Sequence, residues 1–332
     1  MKATLELESG QVFEGACAGG KAGDFTIVFN TSMTGVTELL TDPSSMGQAL
    51  VLTYPMIGNC GVSLEDFQSD KPQIAALIVS EISEIESNFR SEDSLKAVLE
   101  RYDIPIIAGI DTRSLVRLLR SNGGGGQGPQ QVSMLIGDKE QVSRPLSFPR
   151  YQGARKTYTA ENAVATVAVP DTGLRRDLAR ALVSLGVSLE VFSYGETIEG
   201  PYDGYLLPGG PGDPAGYDLT VIKQILQTGK PILAAGLGHQ LLALANGYKT
   251  IPLSPGHRGA NIPVRDTATG QVLITTQNHG YTVDVASGSP PVRYVNVNDG
   301  TVEGVRWREN ILSIQFLPDT DIFSEYIKLL KR

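Results

Sequence analysis

Apolar and polar positions alternate with period two at the start of the chain. Ala3, Leu5 and Leu7 share one face, Ser9-Gly10 turns and Val12-Phe13 return, which predicts a β-hairpin over residues 1–15. Apolar runs at 25–29, 49–53, 73–79 and 104–110 predict further strands. Leu95, Val98, Leu99 and Tyr102 recur at helical spacing in the segment that opens at Ser91, so a serine-capped helix is expected there. Residues 111–120 read as an amphipathic helix. Together these segments predict a mixed α/β domain, and their pattern alone carries no recognisable site.

The pattern lapses at 121–131, a low-complexity run rich in glycine that reads as an exposed flexible loop. A strand resumes at 132–136. Residues 137–161 are polar and weakly periodic, as a linker between domains would be. The expected organisation is therefore a first domain over 1–140, a linker over 141–162 and a second domain over 163–332. From Ala163 the grammar becomes strand–helix–strand. Strands are expected at 164–169, 187–192, 204–207 and 272–275, the last ahead of the word Gln277 to Tyr281. Leu174, Leu178, Ala181, Leu182 and Leu185 mark one helix face, closed by Gly186, and Val221, Ile222, Ile225 and Leu226 mark another, stopped by Gly229. Parallel strands joined by helices make an open doubly wound sheet of flavodoxin type, whose ligands bind at the strands' carboxyl ends.

The most informative stretch is 230–249. Its short apolar strand, 232–235, enters a turn bearing Gly236 and Gly238 and leaves as an apolar helix through Leu241, Leu242, Leu244 and Ala245. A strand running through a tight turn into a helix is the nucleophile-elbow layout, which lifts one side chain to a helix N-terminus. The positive helix end there can lower a thiol pKa, and backbone N–H groups face any oxyanion. Here the tip is Gly236. The scaffold lacks a nucleophile.

Composition narrows the function classes. The chain has 332 residues, a length that suggests two domains, and a net charge of −8 without any Lys/Arg-rich run, which argues against a nucleic-acid surface. No apolar run approaches about 18 residues, so no membrane span is expected. The N-terminus enters a strand pattern directly, with no signal-peptide core. Cys17 and Cys60 cannot build a disulfide framework or a metal knuckle and read as packing residues of a protein in a reducing cytoplasm. His239, His257 and His279 show no metal-ligand spacing, and no metal is expected. The run 207–214, Leu-Pro-Gly-Gly-Pro-Gly-Asp-Pro, lets backbone amides approach a ligand, although by itself it also suits an ordinary turn.

Several words of the chain resemble the small subunit of carbamoyl-phosphate synthetase, a class I glutamine amidotransferase. They are F-N-T-S-M-T-G from Phe29, L-T-D-P-S from Leu40, L-T-Y-P from Leu52, S-N-F-R from Ser87, the run from Ile110 to Arg120, G-P-G-D-P from Gly210 and L-G-H-Q-L-L-A-L-A from Leu237. The resemblance implies an N-terminal mixed β/α domain peculiar to that family, followed by the amidotransferase domain. It implies that 207–214 is an oxyanion loop and that glutamine is lined by Ser44, Gly210, Gly212, Leu237, Gln240, Asn278, Gly280 and Tyr281, the last where phenylalanine is common. It makes the three histidines structural.

The same resemblance places a catalytic cysteine at Gly236, the general-base histidine at Leu317 and the orienting glutamate at Asp319. Leucine can neither take a thiol proton nor return one to departing ammonia. No catalytic residue is intact. Residues 171–177 also depart from the family's D-x-G-x-K-x-N. The resemblance implies a large ATP-grasp partner that uses ATP, Mg and bicarbonate, with no cofactor on this chain, and a product that feeds arginine or pyrimidine synthesis. The expectation is a small subunit inactive as a glutaminase, structural or regulatory in an ammonia-fed synthase. The alternative is a free-standing protein that binds or senses glutamine. A hydrolase built on Ser44 or another group would need a base, and none is evident.

Overall fold

A computed structural model describes residues 1–121, 131–136, 150–285 and 291–331. The glycine-rich loop expected over 122–130 and most of the expected linker, 137–149, lie outside the described residues. The chain forms two compact units, 1–149 with 252–259, and 150–251 with 260–332.

The first unit contains strands β1 (Lys2–Leu7), β2 (Val12–Ala18), β3 (Gly23–Asn30), β4 (Gln48–Leu52), β5 (Met56–Ile57), β6 (Ala76–Ile78), β7 (Glu81–Ile82), β8 (Ile106–Ala108) and β9 (Gln131–Ile136). Its helices are α1 (Val36–Thr41), α2 (Leu95–Arg101) and α3 (Thr112–Ser121). The hairpin forms as read, with Leu5 opposite Phe13 and Gly10 turning at φ 78°. The strands close into a barrel in the order β1-β2-β8-β6-β4-β3-β9, while β5 and β7 form a separate parallel pair.

Alternation explains the apolar runs. Ile27, Ala49, Val51, Ala76 and Ile78 pack with Leu115 and Leu119 of α3, whereas Val28, Leu50, Leu52 and Leu77 pack with Val98 and Leu99 of α2. Both faces of these strands are buried, so the runs are continuous rather than alternating. Two predicted strands are shorter than their apolar runs, 76–78 and 106–108. The α2 cap is Ser94, whose Oγ accepts from the Ala97 amide at 3.1 Å.

The second unit contains β10 (Lys156–Tyr158), β11 (Ala165–Asp171), β12 (Val187–Ser193), β13 (Gly204–Leu207), β14 (Ile232–Ala235), β15 (Lys249–Asp266, apart from residues 252–259, which count with the first unit), β16 (Val272–Asp284), β17 (Val292–Asn296), β18 (Val302–Arg308) and β19 (Ile311–Ile314). Its helices are α4 (Arg176–Ser184), α5 (Thr220–Gln227), α6 (Leu237–Ala245) and α7 (Thr320–Leu330). The strands make one ten-stranded sheet ordered β10-β12-β11-β13-β14-β19-β18-β17-β15-β16. Strands β12, β11, β13, β14 and β19 are parallel.

Successive residues face opposite layers. Val167, Val169, Leu206, Leu233 and Leu312 pack under α4 and α7, whereas Ala168, Tyr205, Leu207, Ile232 and Ile311 pack under α5 and α6. Helices cover both faces, which is the doubly wound arrangement the βαβ grammar predicts. Two readings need correction. Residues 156–158, inside the expected linker, pair antiparallel with β12 as an edge strand. The word Gln277 to Tyr281, expected after a strand over 272–275, lies within the longer strand β16.

Candidate functional site

Chain order places the site. From β11 the connections run outward to β12 on one side and to β13 on the other, so the crevice beyond the carboxyl ends of β11 and β13 is a topological switch point. The elbow follows β14, the neighbour of β13, and residues 315–319 follow β19, parallel to β14 with Ala235 beside Ile314. Parallel pairing brings the elbow, the glycine loop after β13 and the 315–319 segment to one end of the sheet.

At the elbow Gly236 holds φ 55° and ψ −118°, a left-handed φ that favours glycine. Its N–H donates to the Ile314 carbonyl at 2.9 Å, and its carbonyl accepts from the Gln240 amide at 3.3 Å. A Cβ built at Gly236 would press on the Gly209 Cα at 3.3 Å and meet no other atom within 4 Å beyond its chain neighbours, so the tip faces the glycine loop after β13. Gly238 is there for packing. A Cβ at that position would lie 2.2 Å from the Leu207 carbonyl oxygen, so glycine is what lets α6 lie against β13.

The loop after β13 is tied to the loop after β11. The Thr172 hydroxyl donates toward the carbonyls of Pro208 at 3.1 Å and Gly209 at 2.9 Å. A Cβ on Gly210 would stand 2.1 Å from the Thr172 carbonyl and 2.9 Å from Leu237 Cδ2. Gly212 turns at φ 89°. Asp171 Oδ1 accepts from the amides of Gly173 and Leu174, and burial pushes this carboxyl above its ordinary range, against those hydrogen bonds and the charge of Lys156. Arg175 reaches the Asp177 carboxylate with Nε at 3.0 Å, so this departure from the family word forms an ion pair.

Gln240 is buried, and its Nε2 donates to the Tyr281 carbonyl and to Gln315 Oε1, both at 3.0 Å. Its amide is a wall that joins α6, β16 and the 315–319 segment. Burial pushes the Tyr281 hydroxyl up to about 12, with the Asp213 carboxylate adding to the effect. Asn278 and Gly280 sit half-buried on β16 beside it. Ser44 belongs to the first unit, in a short turn where its amide donates to Asp42 Oδ1 at 2.8 Å. Residues not singled out as site candidates, Thr172 and Gln315, hold the loops together; Gln315 stands two residues before the candidate Leu317.

No titratable group stands at the two positions that would carry the chemistry. Leu317 is half-buried, its amide donating to the Thr276 carbonyl at 3.0 Å. Asp319 is exposed, and its carboxylate caps α7 by accepting from the amides of Asp321 at 3.1 Å and Ile322 at 3.0 Å. A Ser–His pair does exist behind the elbow, with His239 Nδ1 2.7 Å from Ser313 Oγ. Both residues are fully buried, burial pushes His239 down to about 3, and Ser313 Oγ also accepts from the Trp307 indole N–H at 2.8 Å. A substrate cannot reach that hydroxyl. The pair pins α6 to β19. His279 is likewise buried, with Nδ1 2.8 Å from the Tyr281 carbonyl and Nε2 3.0 Å from Gln277 Oε1.

A doubly wound sheet with an elbow after a central strand and a glycine loop at the switch point defines a class I glutamine amidotransferase-type domain. Residues 168–331 match the family described as glutamine amidotransferase class-I, and residues 5–126 match the carbamoyl-phosphate synthase small chain, CPSase domain. The carbamoyl phosphate synthase small chain of Clostridium perfringens is 40% identical, with 99% of both chains covered. That of Caldanaerobacter subterraneus subsp. tengcongensis is 37% identical over 99% of this chain and 97% of its own. The pyrimidine-specific small chain of Halalkalibacterium halodurans is 39% identical over 100% and 98%. The chain belongs to the carbamoyl-phosphate synthase small-chain family.

Proposed function

We propose that this chain is a small subunit that no longer hydrolyses glutamine and instead supports, in the cytoplasm, a large ATP-grasp subunit fed by ammonia. One observation carries the reading. The elbow tip is Gly236, and the group that would serve as its base is Leu317, so neither attack on an amide carbon nor proton transfer to departing ammonia has a side chain to perform it. The Asp319 carboxylate is engaged as a helix cap and leaves no third member of a relay. ATP, Mg and bicarbonate would be handled by the large subunit. The product would serve arginine or pyrimidine synthesis.

A second reading, a protein that binds glutamine without turnover, is favoured by the elbow tip facing the glycine loop, where a built Cβ meets Gly209 alone. The two are separated by measuring ATP-dependent carbamoyl-phosphate formation by the large subunit with and without this chain, on ammonium and on glutamine. Stimulation on ammonium with no glutamine turnover is expected. Product from glutamine that vanishes when this chain is omitted would overturn the inactive-site reading. No effect on either substrate, together with calorimetric binding of glutamine to the isolated chain, would favour the second reading.

A further inference from the structure

Strand β16, which carries Asn278, Gly280 and Tyr281, also carries a row of buried polar side chains: Thr275, Gln277 and His279. The direction of each hydrogen bond in that row follows from the carbonyls at its ends. The Thr275 hydroxyl spends its one proton on the Ile262 carbonyl at 2.9 Å. It can therefore only accept from Gln277, whose Nε2 lies 3.0 Å away. That orientation turns Gln277 Oε1, an acceptor, toward His279 Nε2 at 3.0 Å. The other ring nitrogen, Nδ1, lies 2.8 Å from the Tyr281 carbonyl, which can also only accept.

Both ring nitrogens of His279 must then donate. A neutral imidazole has one donor and one acceptor, so it would set a bare lone pair against one of these two oxygens. Only the imidazolium satisfies both contacts. A buried cation needs a counter-charge, and β18 provides one. Glu303 is fully buried, with Oε2 3.9 Å from His279 Nε2. Its Oε1 accepts from Asn296 Nδ2 at 2.8 Å, a direction fixed because Asn296 Oδ1 accepts from the Asn298 amide at 2.9 Å.

We infer that His279 is held as an imidazolium with the Glu303 carboxylate as its counter-charge, and that this pair positions the Tyr281 carbonyl and, through it, the Gln240 amide. The Tyr281 carbonyl accepts from His279 Nδ1 and from Gln240 Nε2, the latter at 3.0 Å. Gln240 Nε2 also donates to Gln315 Oε1, so both of its protons are committed. A charged donor bonds about twice as strongly as a neutral one, and the imidazolium therefore anchors the oxygen on which Gln240 hangs. Glu303 is a positioning residue that acts through His279. The inference stands whether or not glutamine binds.

The test is nitrogen-15 NMR of the full chain, labelled at histidine ring nitrogens and glutamine side-chain amides, at pH 7.5. An ordinary histidine, with a pKa of about 6.5, is mostly neutral there. Resonances are assigned by their loss in His279→Gln and Gln240→Glu. In wild type both His279 nitrogens are expected at the protonated position. Glu303→Gln keeps the side chain's size and removes its charge. In that variant one His279 nitrogen is expected to move to the unprotonated position, and the Gln240 side-chain protons to exchange with solvent about tenfold faster as charge assistance is lost. A neutral His279 in wild type would overturn the inference without any variant, so the test does not depend on Glu303→Gln folding. An imidazolium that persists in Glu303→Gln would overturn Glu303 as the counter-charge. Unchanged Gln240 exchange beside a neutral His279 would overturn the positioning role. Each of these results leaves the subunit reading untouched.

Discussion

Acid should loosen the second unit in a way that traces to one histidine. His239 lies inside α6 with no exposure, its Nδ1 bonded to Ser313 Oγ, and burial holds its pKa near 3. An unfolded histidine titrates near 6.5. Between those values the unfolded chain binds a proton that the folded one refuses, so stability falls as pH drops below about 6.5 and levels off near 3. At about 1.4 kcal/mol per pH unit, lowering pH from 6.5 to 5 removes about 2 kcal/mol through this group. Asp171, whose carboxyl is pushed up, works in the opposite sense: its contribution is present at low pH and is lost as pH rises through the folded-state value.

His239→Gln isolates the effect, since the amide can still bond Ser313 and does not titrate. Trp307 is the chain's single tryptophan and donates its indole N–H to the same Ser313 hydroxyl, so its emission reports unfolding of this unit. Urea titrations followed by that emission at pH 7.5 and 5 should show wild type losing about 2 kcal/mol more than the variant. Asp171 and the surface carboxylates are common to both proteins and cancel in the difference. Equal losses would mean that His239 takes up a proton in the folded state, and the sealed-pair reading would fail.

Two further predictions probe the elbow and the tail. Gly238→Ala puts a Cβ 2.2 Å from the Leu207 carbonyl oxygen, a backbone atom that cannot swing aside; a loss of about 1–3 kcal/mol is expected in the same urea titration, and a loss near zero would show that α6 can ride off β13. Asp319→Ala removes the α7 cap and should cost about 1 kcal/mol, with Asp319→Ser or Asp319→Asn recovering most of it; no recovery by Asn would point to a need for the charge itself.

The parallel half of the second unit was legible because its strands are buried on both faces and its helices carry clear stripes. Strand β13 begins and ends where the apolar run Gly204 to Leu207 does, and the elbow appears where Gly236 interrupts an apolar strand and helix. Strand β16 was obscured because its middle, Gln277 to Tyr281, is polar. In the structure Gln277 and His279 are buried and bond each other, and Gln277 Nε2 bonds Thr275, so polar residues satisfy one another inside a sheet. Edge strand β10 is three residues with two of them exposed, too short to print a period. Asp319 read as the remnant of a catalytic carboxylate, whereas its two amide bonds make it a helix cap. A Pro-Asp-Thr-Asp run before an apolar helix is itself a cap signal, and it competes with the family alignment at that position.

Which parts of such a site would persist without its chemistry follows from what each replacement would leave behind. Gln240 bonds Gln315 and the Tyr281 carbonyl in a buried setting, so loss of either amide would orphan its partner at a cost of about 1–3 kcal/mol. Gly210 and Gly238 have backbone oxygens within 2.2 Å of any added Cβ and cannot enlarge. Gly236 and Leu317 are half-buried, and exchanging a reactive side chain for hydrogen or isobutyl at such places strands no buried donor. At the elbow, glycine also removes the strain of about 1–3 kcal/mol that a side chain would bear at φ 55°. Folding alone would therefore preserve the walls of the pocket even without the chemistry. The intact look of Gly210, Leu237 and Gln240 is weak support for glutamine binding, and the subunit reading rests instead on the two positions that folding left free to change.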